Sequence, residues 1–365
     1  MVMAIILGAI LFRVVLLAVP PTLSDDIYRY RWDGRVQAAG LNPYTEPPAS
    51  PVLAAVRDPL WLRINYPEIR TIYGPMAQWL FALTYRIDGR LVGFQAMAAV
   101  GDLLGALLLL ACLRRWGLPQ WRVALYAWSP LAAVESASNG HFDSWPIAAV
   151  LLAVWAGIAG KDLLASSALS AGVLFKTWPL LWAPLALRRR PLWHAAVFGG
   201  LIFLGYLPFR SAGLGILQPW LDYTGRWRFN DAGFFVLRSL TGSEPLAKGI
   251  AAAIGCAALY YFWRGNEDPV RANYWLLLLA IFLMPTIHPW YLLWPLPLAA
   301  AALDLGWLTV TLLAPLSYWI LVGAGPDPNT WTEPTWVRFA IWLPALAVWV
   351  WQARVMGVAA PPSTR

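Results

Sequence analysis

Apolar runs of near-membrane length recur along the whole 365-residue chain, separated by short polar stretches. A spanning helix needs about 20 apolar residues at 1.5 Å rise each. By that measure spans fall near 2–19, 91–113, 121–137, 144–160, 192–209, 246–263, 272–287, 289–303, 306–323 and 335–353. Composition agrees: 13% of residues are charged and 59% hydrophobic, against about 25% charged in a soluble domain. Many of the 24 Trp flank the runs, as rings parked at headgroup level do. The expected fold is an all-α polytopic membrane bundle of about 10–12 transmembrane helices, forming one domain over 1–365 with a long first loop, 20–90.

The net charge of +8 belongs to membrane anchoring and not to nucleic acid. Arg114, Arg115, Arg122, Lys161, Arg188–Arg190, Arg264, Arg271 and Arg354 lie beside apolar runs and mark one face. The positive-inside rule makes that face cytoplasmic, which places both termini there in a multi-pass protein of the cell membrane. The other face then carries 20–90, Ser138–Asp143, Lys176–Pro179, 210–245, His288–Tyr291 and 324–334. Met1–Val19 lacks a basic n-region and a small-x-small cleavage site, so it reads as an uncleaved first helix. Arg13 inside it either snorkels, faces protein or meets an anionic ligand. Cys112 and Cys256 fall in apolar runs, which excludes a disulfide framework.

Within 162–187, Lys176-Thr177-Trp178-Pro179 breaks the pattern. Proline removes a donor and disfavours helix just before it, so two short helices are expected to meet there. Such a break is tolerated at membrane depth only where protein surrounds it. Lys176 then stands at the external mouth of the bundle, where an ammonium suits a phosphate or simply snorkels.

The richest polar stretch is Ser24-Asp25-Asp26-Ile27-Tyr28-Arg29-Tyr30-Arg31-Trp32-Asp33-Gly34-Arg35. Pro20–Pro21 stop the first span, Ser24 is a good N-cap and Gly40 a good C-terminal stop, which predicts a surface helix over about 25–39. Asp26, Arg29, Tyr30 and Asp33 share a face at spacings of three, four and seven. A first-turn carboxylate is favoured by the helix dipole and can serve as a general base. Two acids at a helix start also occur without further role, and the pattern alone leaves both readings open. Glu135-Ser136-Ala137-Ser138-Asn139-Gly140-His141-Phe142-Asp143 forms a turn that suits hydrogen-bonded structure and substrate contact. It supplies too few ligands for a metal by itself. Arg226-Trp227-Arg228 and His288-Pro289-Trp290-Tyr291 alternate cations with rings, which suits a sugar phosphate or a lipid headgroup surface equally.

Asp25-Asp26-Ile27-Tyr28-Arg29-Tyr30 with Gly40-Leu41-Asn42-Pro43-Tyr44 resembles the first external loop of polyprenyl-phosphate-sugar-dependent transferases of the GT-C superfamily. It is similar to bacterial glycosyltransferase family 87 and to the first mannosyltransferase of GPI-anchor assembly. Tyr73-Gly74-Pro75, Asn139-Gly140-His141-Phe142-Asp143 and Lys176-Thr177-Trp178-Pro179 resemble later elements of that pattern in the family's order, with Phe142 replacing a polar residue. The resemblance implies a membrane glycosyltransferase, a mannosyltransferase in particular, moving a hexose from a polyprenyl-phosphate donor to a hydroxyl of a lipid-linked or glycan acceptor, with inversion, on the external face. It implies Asp26 as base with Asp25 second. The strict Asp-x-Asp is missing because Ser24 stands at its first position, so no metal site is assigned, although a divalent ion is compatible with the pattern. Lys176, Arg29, Arg226 and Arg228 are the candidates for the donor phosphate, and Tyr30, Asp33, His141, Asp143 and His288 for substrate. A lipid or sugar transporter or flippase is the alternative class; no internal repeat supports it.

Overall fold

A computed structural model describes residues 1–322 and 333–363, apart from the side chains of Thr224 and Arg226. The expected external segment 324–334 therefore lies outside the described residues except for its last two positions. The first span is α1, Val2–Leu16, and the predicted surface helix is α2, Asp26–Ala38. Gly40, at φ +78°, ends α2: the Leu41 N–H reaches back to the Val36 carbonyl at 3.1 Å, the Schellman closure that a left-handed residue permits. α3, Pro75–Ile87, lies under α2 and leads into α4, Leu91–Arg115. α4 packs on α5, Ser144–Ile158, α5 on α6, Asp162–Phe175, and α6 on α7, Leu192–Tyr206.

The second half comprises α8, Gln218–Arg226, α9, Gly233–Thr241, α10, Glu244–Arg264, and α11, Pro269–Leu283. It closes with α12, Leu296–Ala302, α13, Leu305–Leu313, and α14, Thr335–Val355, which packs on α13. Among the described residues, three stretches are long and apolar enough to cross a membrane: Leu91–Arg115, Leu192–Tyr223 and Glu244–Arg264. α10 keeps Tyr260, Tyr261 and Trp263 exposed, the outward apolar surface of a membrane protein.

Several expected spans are shorter or interrupted. The 121–137 run is a chain of single turns: Gln120–Val123, Ala124–Ala127, Pro130–Ala133, and a π-helical turn at Val134–Ser138. Proline cannot donate to the helix ladder, and Ser129 caps the new start through Ala132 N. The 289–303 run likewise divides into Pro289–Leu293 and α12. The break in 162–187 is where the sequence predicts it, with Lys176 extended between α6 and a turn at Trp178–Trp182.

Among the described residues, two main apolar cores hold these pieces, beside a third cluster of Leu185, Ala272 and Leu276. The larger runs through α4, α5, α6 and α11 to α14. The smaller one anchors the first loop: Ile27, Tyr30, Trp32 and Val36 of α2 bury against Phe81, Phe94, Phe142 and Phe175. Each such side chain contributes about 1.5–3 kcal/mol when fully buried, enough to fix a 13-residue helix that would not persist alone. Asp58 accepts from Arg31 at 2.7 Å and Arg35 at 3.1 Å, which ties the 51–63 segment to the same helix.

Arg13 faces protein. Its guanidinium donates to Asp102 Oδ2 at 2.8 and 2.5 Å, and Tyr126 OH donates to Oδ1 at 2.6 Å. Both charged groups are nearly inaccessible. Asp102→Ala strands the buried guanidinium and is expected to cost about 3–5 kcal/mol, seen as a lower unfolding midpoint in detergent. The Arg13→Met/Asp102→Leu double variant is expected to recover most of that loss. A single variant that unfolds within about 0.5 kcal/mol of the parent would overturn the assignment.

Candidate functional site

The site begins at the N-terminus of α2. Asp25 is the N-cap, and the Asp26 N–H donates to Ser24 Oγ at 3.3 Å. The Asp26 carboxylate stands in the first turn, its side chain 23% exposed. Oδ2 accepts Tyr30 OH at 3.3 Å and lies 3.9 Å from His141 Nε2. Burial first, and then the Asp26 charge, push the Tyr30 phenol well above its ordinary range, so Tyr30 is a neutral donor. Asp25 has its carboxyl raised by burial, an effect that Arg63 opposes and Asp26 reinforces.

His141 reaches Asp26 because the 134–143 turn is pressed against α2. Gly140 has φ +74°, and a Cβ there would meet Ile27 Cδ1 at 2.6 Å, so both backbone and space require glycine. The imidazole Nδ1 lies 2.9 Å from Glu135 Oε2, and Nε2 faces Ser24 Oγ at 3.2 Å. Gln95, near the start of α4, holds the turn by donating to the carbonyls of Val19 at 2.8 Å and Ser138 at 2.7 Å.

On the other side of Phe142, Asp143 is fully buried and accepts from Lys176 Nζ and Trp294 Nε1, each at 2.7 Å, through Oδ1. Its Oδ2 has no hydrogen-bond partner among the described residues. Lys176 keeps 18% of its side chain exposed, and its ammonium lies 4.7 Å from the Tyr291 ring and 5.5 Å from Phe142, within cation–π range. Trp290 joins the two halves: His141 stacks on it at 3.8 Å between centroids and His288 at 4.5 Å. Burial first, then Lys176 and His141, lower His288 to about 3, so it is a neutral ring at physiological pH.

The fold thus brings together Asp26, Tyr30, His141, Asp143, Lys176 and His288. It places Arg29 and Asp33 elsewhere, in a buried network of their own. Asp33 accepts from Arg29 at 3.1 Å, Thr71 at 2.5 Å and Gln78 at 2.8 Å, which fixes α2 on α3. Arg228 pairs with Glu244 at an exposed position. The side chain of Arg226 lies outside the described residues. Glu135, Trp290, Tyr291, Trp294 and Tyr318 were not singled out individually by sequence. Glu135 and Trp290 stand in turns already flagged as polar, whereas Tyr318, which donates to Glu135 Oε1 at 2.6 Å, carries no local signal. Among the described residues, no group of three or more His, Cys, Asp or Glu is arranged to hold a metal ion.

The raised Asp25 carboxyl has a thermodynamic consequence. Its folded form holds the proton more tightly than the unfolded chain, so the penalty is full above the folded value and vanishes below the ordinary 3.8. Asp25→Asn is expected to raise the unfolding midpoint modestly at pH 7, with no gain at pH 3. A gain that persists unchanged at pH 3 would contradict the burial argument.

Residues 3–188 match the family model described as "Alpha-(1->6)-mannopyranosyltransferase, N-terminal domain", and residues 235–354 match one described as "MptB C-terminal domain". The chain is also similar to Alpha-(1->6)-mannopyranosyltransferase A of Mycobacterium tuberculosis. The two are 23% identical over 374 aligned positions, covering 88% of this chain and 69% of that one.

Proposed function

The chain belongs to the alpha-(1->6)-mannopyranosyltransferase family and is a membrane mannosyltransferase, and we propose that it takes its mannose from a polyprenyl-phosphate donor. In this reading the acceptor is a hydroxyl of a lipid-linked or glycan mannoside, and the linkage made is α-(1→6), as the names of its relatives suggest. Asp26 is the general base, Lys176 meets the departing phosphate, and the whole chain works as one domain. The observation that carries this reading is the placement of a partly exposed carboxylate at a helix start, joined through His141, Trp290 and Tyr291 to a partly exposed, ring-flanked ammonium.

In the proposed reaction the acceptor oxygen attacks the anomeric carbon while the bond from that carbon to the phosphate oxygen breaks. The electron pair leaves with the polyprenyl phosphate, and the hydroxyl proton passes to Asp26. Tyr30 already occupies Oδ2, which leaves Oδ1 for the acceptor. A single displacement inverts the centre, so an α product calls for a β-linked donor. Charge-assisted hydrogen bonds from Lys176 to the leaving oxygens strengthen as the anion forms. Both halves of the chain contribute, Asp26, His141 and Lys176 from the first and Trp290, Tyr291 and Tyr318 from the second, which supports one functional unit. The external location is supported by α4. Its first turns lie beside the site through Gln95, and its last turn carries Arg114 and Arg115, roughly 30 Å further along the helix axis.

Asp26→Asn is expected to lower kcat about 10²–10⁴-fold and to leave affinity for polyprenyl-phosphate mannose within a few-fold, measured as mannosyl transfer by the detergent-purified protein. A nucleotide-sugar donor is expected to give no transfer. Turnover by Asp26→Asn within a few-fold of the parent, with loss in Asp25→Asn instead, would move the base to the neighbouring carboxylate.

A further inference from the structure

The proposed reaction leaves unused a buried carboxylate that stands beside the site. Glu135 is fully buried in the π-helical turn, and it accepts three hydrogen bonds: from Asn139 Nδ2 at 3.0 Å, His141 Nδ1 at 2.9 Å and Tyr318 OH at 2.6 Å. A carboxylate accepts and never donates, so with Glu135 accepting at Nδ1 the other ring nitrogen, Nε2, is turned toward Ser24 and Asp26. None of these three partners is a permanent cation. A buried charge without a counter-charge is costly, and a proton arriving on Nε2 supplies that counter-charge as an imidazolium beside Glu135.

We propose that Glu135 and His141 form a proton-accepting dyad behind Asp26, a role that rests on the reading of Asp26 as the base. Asp26 takes the acceptor proton as the new glycosidic bond forms. The Asp26 carboxylic acid then passes that proton to His141 Nε2, which regenerates the carboxylate and leaves an imidazolium–carboxylate pair. The imidazolium releases the proton to bulk water past the half-buried Ser24 hydroxyl. The 3.9 Å separation of Nε2 and Asp26 Oδ2 closes to hydrogen-bond length when substrate fills the site, as catalytic contacts often do.

The surroundings suit this traffic. From α2 the ring meets Asp26 and the edge of Tyr30, at 6.5 Å between centroids, and from the preceding strand of chain it meets Ser24. From its own turn it meets Glu135. Trp290 covers its face, and the charges it shares space with across that ring are Lys176, paired with Asp143, and neutral His288. The stack fixes the ring plane so that both nitrogens keep their partners. His141 is a positioning and proton-holding residue, and Glu135 acts through it.

The test uses the full chain in detergent with polyprenyl-phosphate mannose and a mannoside acceptor, across pH. Glu135→Gln and His141→Gln are expected to lower kcat about 10- to 100-fold with donor KM within three-fold. The acid limb of kcat, which reports the Asp26–His141–Glu135 assembly as a unit, is expected to move to lower pH in His141→Gln. Free imidazole is expected to restore part of the rate of His141→Ala. Tyr318→Phe, which removes one donor from Glu135 without touching the ring, serves where Glu135→Gln does not fold; its acid limb is expected to move to higher pH, because a less-stabilised carboxylate holds the imidazolium more firmly. Unchanged kcat in the glutamine variants, or a loss with the parent's pH profile and no imidazole rescue, overturns the dyad while Asp26 stands. Full activity in Asp26→Asn overturns both.

Discussion

The site depends on one constraint: helices that break at the edge of an apolar bundle must find partners for their freed polar groups within the protein. The stretch after α1 at Val19, the π-helical turn of 134–138, the extended Lys176 and the 284–294 segment all lose regular helix, and they satisfy one another. Gln95 joins Val19 to Ser138. The Gly74 N–H reaches the Phe175 carbonyl, Lys176 reaches Asp143, and Trp290 covers His141. Chemistry-bearing side chains collect there because uninterrupted helices would have turned them toward lipid or toward packed apolar neighbours.

The first loop is held to that junction by apolar packing, and the polar work is done at its margin. Ile27 and Tyr30 are buried in the small core while Asp26, one residue before Ile27, stays partly open. Helical spacing explains the division. Two adjacent i,i+4 pairs leave α2 in slightly different directions: Asp26 with Tyr30 looks toward His141, and Arg29 with Asp33 looks down onto Thr71 and Gln78. The second pair locks the orientation of the helix that presents the first.

Much of this was legible in the sequence, for identifiable reasons. α2 carries its own punctuation in Pro20–Pro21 and Gly40, so local chemistry sufficed, although the N-cap is Asp25 and not the expected Ser24, whose Oγ accepts the Asp26 N–H. The Lys176 break announced itself through a cation and Pro179 in an otherwise apolar stretch. The interruption of 121–137 was hidden, because its hydropathy is that of a continuous span. What opens it is Pro130 together with partners distant in sequence, Tyr318 for Glu135 above all. Arg29 and Asp33 were readable as neighbours of Asp26 on one face, but not as its competitors for direction, since Thr71 and Gln78 enter only through the packing of α3. Arg228 was readable as a cation, but its ion pair with Glu244 at an exposed position was not.

The pairing of Lys176 bears on how such an enzyme can turn over. A lone ammonium would attract the donor phosphate and the released polyprenyl phosphate alike, and uniform attraction lowers KM without raising kcat. With Asp143 Oδ1 bound to it at 2.7 Å, Lys176 presents a largely neutralised charge to the resting site. An ammonium has three N–H donors, so the pair still leaves directed hydrogen bonds for the phosphate. Trp294 donates to the same carboxylate oxygen, and Tyr291 flanks the ammonium, which holds its direction before substrate arrives. In the proposed reaction those bonds gain most when charge builds on the leaving oxygen, which is where stabilisation shortens the path to the transition state. In that reading the resting ion pair favours the anion forming on the leaving oxygen over the bound donor phosphate.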